Sequence, residues 1–141
     1  MSDSVPICTM DPELKAKLRA FRFRKEKTNQ AIVMKIDVAK RLLVVDEVLD
    51  ELETIEELRD ELPEHQPRFA VYSFKLAHDD GRVSYPMILI FSTPRDCKTE
   101  LQVMYAGTKL SLVKEAELTK VYEIRDLDEL DDEWLFGKLK K

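Results

Sequence analysis

A mixed α/β sheet covered by helices on both faces, an α+β arrangement, is the fold that three features of this sequence predict. The first is the unbroken apolar run Met87-Ile88-Leu89-Ile90-Phe91. It suits a strand buried on both sides, where neither face tolerates a polar side chain. The second is a helical pattern from Lys98 to about Lys114, succeeded by an alternating strand from Thr119 to Arg125. A strand, a helix and a strand in succession make a crossover that joins parallel neighbours. The third is a set of earlier strand-like segments separated by short turns, which predict antiparallel neighbours. The sum is a five-stranded mixed sheet, four strands antiparallel and the fifth parallel, with four helices.

In chain order, Asp11-Pro12-Glu13 predicts the first helix start: Asp11 as cap, Pro12 with its φ preset for the first turn, Glu13 at the positive end of the helix dipole. Leu14, Leu18 and Phe21 then fall on one stripe. Ala31 to Ile36 and Leu42 to Val45, separated by Asp37-Val38-Ala39-Lys40, read as a hairpin, with Val48-Leu49 either continuing the second strand or bending away. Thr54 and Glu57 have capping-box spacing ahead of Ile55, Leu58 and Leu62, a short helix that Pro63 stops. Arg68 to Phe74 is a strand, His78-Asp79-Asp80-Gly81 its turn, and the apolar run the return strand. Pro86 sits near the start of that strand or at a bulge, since it cannot donate to a ladder. After the crossover, Asp128 is the expected cap of a last helix with Leu130, Trp134, Leu135 and Leu139 on its buried side.

A chain of 141 residues predicts one domain, placed at residues 3–139, large enough to bury about 68–70% of its unfolded surface. Apolar content of 44% and charged content of 36% fit a soluble globular protein, and a net charge of -5 argues against a general nucleic-acid binder. Charge is unevenly placed. Lys15, Lys17, Arg19, Arg22, Arg24, Lys25 and Lys27 form a basic block; an acidic block runs from Asp46 to Glu64, and a second from Asp126 to Glu133. Each reads either as a solvated face or as a surface that orients on a partner of mixed charge. No charged leader with an apolar core opens the sequence, and no apolar run of about 18 residues exists, so neither secretion by a signal peptide nor a membrane span is expected. Cys8 and Cys97 are then expected as reduced cytosolic thiols.

Chemistry-bearing constellations are missing from the pattern. His65 and His78 lack zinc-type spacing with a cysteine, and His78-Asp79-Asp80 reads better as a polar hairpin tip than as a base or ligand set. With Gly81, Gly107 and Gly137 as the only glycines, there is no phosphate-cradling loop. Cys97, at the start of the long helix, reads as a small half-buried residue. The carboxylates occur as surface runs, poor material for acid/base catalysis. The pattern supports no enzymatic chemistry, cofactor or metal site.

Three segments resemble the actin-depolymerising factor homology (ADF-H) fold: Pro67-Arg68-Phe69-Ala70-Val71-Tyr72, Phe91-Ser92-Thr93-Pro94 and Met104-Tyr105-Ala106-Gly107-Thr108-Lys109. Within that fold the sequence is most similar to the glia maturation factor family. Asp11 to Leu14, Phe21 to Lys25, His78 to Pro86, Met104 to Gly107 and Ala116 to Val121 carry the likeness, which spans essentially the whole chain. The resemblance implies an ADF-H fold and a cytoplasmic regulator of branched actin at the cell cortex and lamellipodium. It implies a monomer that binds the branch-nucleating complex of actin-related proteins two and three, inhibits its nucleation and debranches actin networks. Cofilin, of similar fold, carries basic residues ahead of the tyrosine motif. Here those places hold Glu100 and Gln102, which removes favourable pairing with acidic actin and implies weak or no direct actin binding. Cofilin-like binding and severing of actin is the alternative, and a secreted differentiation signal a further one that lacks a leader to support it.

The resemblance also implies site residues. Lys98, Gln102, Val103 and Lys109 of the long helix, with Ser2, Asp3, Ser4 and Val5, are expected to enter the cleft of the actin-related protein. Ser2 and Ser4 resemble the position of a regulatory phosphoserine, where a phosphate would add about two negative charges and block docking; an unmodified or acetylated start is the alternative. A second surface would comprise Asp79, Asp80 and Arg82 in the turn and Glu129 and Asp132 near the last helix. Arg22, Arg24 and Lys25 are a further candidate patch.

Overall fold

In the computed structural model, which describes residues 8–23, 28–118 and 120–139, the apolar run divides as a doubly buried strand must. Leu89 and Phe91 enter one hydrophobic cluster, and Ile88 and Ile90 the other. The main sheet has the order β1-β3-β2-β4-β7-β8. Its strands are β1 (Thr9–Met10), β2 (Asn29–Asp37), β3 (Leu42–Leu52), β4 (Arg68–Ser73), β7 (Met87–Ser92) and β8 (Val121–Ile124). The short strands β5 (Leu76–Ala77) and β6 (Val83–Ser84) form a separate pair. β2 runs antiparallel to β3 and β4, β4 antiparallel to β7, and β7 parallel to β8.

The expected count of five strands needs one addition. β1 joins the edge parallel to β3, with the Thr9 amide donating to the Arg41 carbonyl and the Asp11 amide to Leu43. Cys8 and Met10 are buried around an exposed Thr9. That alternation is real but only three residues long, too short to separate from loop.

Helices cover both faces. On one side α1 (Pro12–Arg22) and α3 (Thr99–Ala116) enclose a core of Leu14, Leu18, Phe21, Met34, Phe69, Leu89, Tyr105 and Leu112. On the other, α2 (Ile55–Arg59) and α4 (Asp132–Leu139) cover Val33, Tyr72, Phe74, Ile88, Ile90, Ile55, Leu58 and Leu135. The α1 stripe is buried as its spacing predicts. Asp11 makes no side-chain cap; its carbonyl accepts the Lys15 amide instead. Glu57 does close the start of α2, its carboxylate accepting the Glu53 and Thr54 amides at 2.7 and 2.9 Å.

Three local details resolve or correct the sequence reading. β3 continues through Val48-Leu49, past a register shift opposite Val33/Met34. Between β4 and β7 the chain makes the small β5–β6 extension, whose turn holds Gly81 at φ 91; Pro86, with no N–H, stands where the β7 ladder must begin. At the C-terminal end, Asp126 precedes a 3-10 turn (Leu127–Glu129), and Asp131, rather than Asp128, caps α4 by accepting the Trp134 amide at 2.8 Å. Leu130 and Leu135 are buried as expected, but Trp134 is only partly so, and the Leu139 side chain lies outside the described atoms. Thr119 lies outside the described residues.

Candidate partner-binding surface

The long helix is anchored through one residue. Tyr105 is 3% exposed, lies 5.5 Å from Phe69 between ring centroids, and accepts the Ile36 amide on its hydroxyl at 2.9 Å. The β2–β4 pairing ends at Met34 opposite Phe69, so Ile36 lies beyond that ladder and its N–H needs this acceptor. Burial pushes the Tyr105 phenol above its ordinary pKa. Thr108, fully buried, returns its hydroxyl to the Met104 carbonyl, and Leu112 and Ala116 complete the inner face. Leu101 and Met104 are partly buried against the same core. Beyond Ala116 the helix ends on Glu117 in the left-handed region (φ 53), whose carboxylate pairs with Arg22 of α1.

Opposite this anchor, α3 is apolar again. Val103 and Leu110 are 43% and 62% exposed, and exposed Ala106 lies between them on the same stripe. Lys98 precedes the helix and Lys114 closes it, both exposed. An apolar stripe on the solvent side of a helix offers area for a partner to bury.

The expected site residues divide between the two faces of α3 and the far side of the sheet. Lys98 is at the N-cap of α3, where its carbonyl accepts the Leu101 and Gln102 amides and its side chain is exposed. Val103 belongs to the outer stripe. Gln102 is turned back, its amide donating to the Cys97 carbonyl at 3.1 Å. Lys109 is also displaced from the outer face: its ammonium stands 6.0 Å from the centroid of the buried Phe91 ring, one helical turn from Tyr105 on the inner margin. Leu110 is the residue that sequence reasoning missed. Its signal was the excess of apolar residues in Leu110-Ser111-Leu112-Val113, more than one face can absorb. Glu100 is exposed in the first turn, where the helix dipole favours an anion.

On the far side of the sheet, Asp79, Asp80 and Arg82 share the exposed β5–β6 turn. Asp80 accepts the Arg82 amide and guanidinium, at 3.1 and 2.6 Å, which holds its carboxyl below the ordinary range. His78 is 2.8 Å from the Ser84 hydroxyl in the same hairpin. Glu129 is exposed and caps Asp126. Asp132 instead faces inward, against the start of α2. Burial and then Glu56 raise its pKa, opposed by the Ile55 amide. The α3 stripe and the α4 residues therefore lie on opposite faces of the sheet, one behind each core. Arg22 is exposed, its guanidinium 5.2 Å from the centroid of Phe23, itself 67% exposed. Ser2, Asp3, Ser4, Val5, Arg24 and Lys25 lie outside the described residues. Among the described residues, no group of three or more His, Cys, Asp or Glu side chains could hold a metal ion, and no helix is long and apolar enough to cross a membrane. Cys8 and Cys97 are buried free thiols, Cys97 more deeply than expected.

Residues 7–140 match the family model of cofilin/tropomyosin-type actin-binding proteins. Glia maturation factor beta of Homo sapiens is 59% identical over 139 residues, 99% of this chain and 97% of that protein. Glia maturation factor of Drosophila melanogaster is 52% identical over 140 residues, 99% of this chain and all of that one. The solution structure of glia maturation factor from Caenorhabditis elegans superposes with a TM-score of 0.84 at 42% identity, covering 98% of this chain and 99% of that one. The chain thus belongs to the cofilin/tropomyosin-type actin-binding family, with the ADF-H fold, and within it to the glia maturation factors.

Proposed function

We propose that this chain binds the branch-nucleating complex of actin-related proteins two and three, inhibits its nucleation and releases daughter filaments at branch points. The observation that carries the reading is the outer face of α3. Val103, Ala106 and Leu110 form an uncovered apolar stripe, with exposed Lys98 at the N-cap of the same helix, on the element that this fold presents to actin-like partners. Glu100 puts an anion where an actin binder of this fold carries a cation, which favours an actin-related protein over actin itself. The module works by occupancy, as a monomer, and performs no reaction.

Release of a branch needs more than binding. A ligand shifts an equilibrium only by its differential affinity for the two states, so the chain must bind the detached complex more tightly than the intact junction. Two faces allow this. The α3 stripe holds the actin-related protein, while the β5–β6 turn and the α4 end, on the other side of the sheet, meet and disfavour the neighbouring filament subunit. In this reading the protein acts on branched networks at the cell cortex. Leu110→Asp and Lys98→Glu should each weaken binding to the purified complex by about 1–3 kcal/mol with the fold intact; unchanged affinity in both variants would remove the outer face of α3 from the site. Family membership also supports a second reading, cofilin-like severing, and clear severing of pyrene-labelled actin without the complex would select it.

A further inference from the structure

An open groove lies beside α4. Glu129, Asp131, Glu133, Trp134, Gly137 and Lys138 line an open cleft of about 500 Å3. Trp134 is the only tryptophan of the chain, is partly exposed, and meets Tyr122 edge to face at 5.6 Å between centroids. Three carboxylates stand around it against one ammonium, and that ammonium, on Lys138, already lies 6.0 Å from the centroid of the Tyr122 ring. The patch therefore holds one cation against an aromatic ring by itself.

Gly137 sharpens the picture. Glycine is among the poorest helix formers, yet Gly137 lies inside α4. Its φ is not positive, and a Cβ built there would meet nothing within 4 Å. Neither backbone conformation nor internal packing asks for glycine at this position. What its missing side chain does is leave open the groove wall next to Trp134.

We infer that the groove seats a basic side chain, arginine or lysine, projecting from the protein that meets the α4 side, with the indole as its platform and Glu129 and Glu133 as its counter-charges. The inference rests on the proposed function, in which that side contacts a second protein. Cation–aromatic attraction and charge pairing act together here, but each is weak in an open cleft. A free small cation would not be retained. The occupant must be anchored elsewhere, as a side chain at a protein interface is. An acidic rim also rejects nucleic acid and anionic lipid.

The single indole N–H resonance of the full chain reports on the groove directly. A tetra-arginine peptide should shift it saturably, a tetra-glutamate peptide should leave it in place, and Glu133→Gln should weaken the arginine titration by about three- to tenfold. Gly137→Ala should raise the melting temperature by about 2–4 °C while slowing branch release severalfold, opposite signs that a purely structural glycine cannot give. Equal response to both peptides, or none to arginine, would overturn the assignment. If the wild-type chain releases branches and Gly137→Ala and Glu133→Gln match it, the groove assignment fails alone. If arginine titrates the groove while the wild-type chain leaves branches intact, the proposed function fails and the groove stands.

Discussion

The two faces of the sheet are covered by the same number of helices but not by the same physics. On the α1–α3 side, one long helix presents apolar residues both inward, at Tyr105 and Leu112, and outward, at Val103 and Leu110. On the α2–α4 side, two short helices bury Leu58 and Leu135 and crowd carboxylates together. Glu56, Glu57 and Asp132 all act on the buried Tyr72 hydroxyl and, behind burial itself, help to raise its pKa, and Glu56 Oε1 is buried without a hydrogen-bond partner. The first face is suited to association by burying area, which salt affects little. The second is suited to association by charge, which salt screens. A two-sided module of this kind can grip one protein firmly while its contact with another stays adjustable.

The sharpest test of that contrast uses one helix. Leu112→Ala removes a fully buried side chain and should destabilise by about 2–5 kcal/mol in urea unfolding. Leu110→Ala, two residues away, should change stability by no more than about 0.5 kcal/mol while weakening complex binding. Equal stability loss in both would mean that the outer stripe is not free. On the other face, Trp134→Ala should cost about 2–3 kcal/mol, less than a buried tryptophan, because the indole is partly exposed. A melting temperature equal to wild type would place it wholly in solvent.

How much of this was legible in the sequence depends on how local the cause was. The run at Met87 to Phe91, the stripe Leu14, Leu18 and Phe21, and the capping pair Thr54 and Glu57 are set by neighbours within a few residues, and all appear as read. Leu110 was not separable from Leu112 because a helix apolar on opposite sides has no dominant periodicity. The sequence could not place Lys109 and Gln102 around the helix for the same reason: their contacts on the margin of α3 are with the Phe91 ring and the Cys97 carbonyl, set in three dimensions. Asp128, Asp131 and Asp132 are similar acids in one run; the fold separates them, Asp131 by accepting the Trp134 amide and Asp132 by its desolvation against the start of α2.

Two smaller effects refine the comparison. Tyr105→Phe keeps the ring and removes the acceptor of the Ile36 amide. It should cost about 1–3 kcal/mol, read as a lower urea midpoint with unchanged slope; no change would show that the amide finds another partner. Asp132→Asn keeps an acceptor for the Ile55 amide and removes the charge. The folded pKa of Asp132 lies above its unfolded value. Its contribution to stability is therefore present at low pH and lost as pH rises through that folded value. The variant should melt above wild type at neutral pH, with the gap closing below the ordinary aspartate range. A gap independent of pH would assign the effect to something other than this carboxyl.

Single-filament microscopy of preformed branches bears most directly on whether the outer face of α3 captures the actin-related complex. Wild-type chain should strip branches at a concentration where Leu110→Asp, folded to the same melting temperature, leaves them attached. Branches that persist with the wild-type chain, or fall equally fast with the variant, would contradict it.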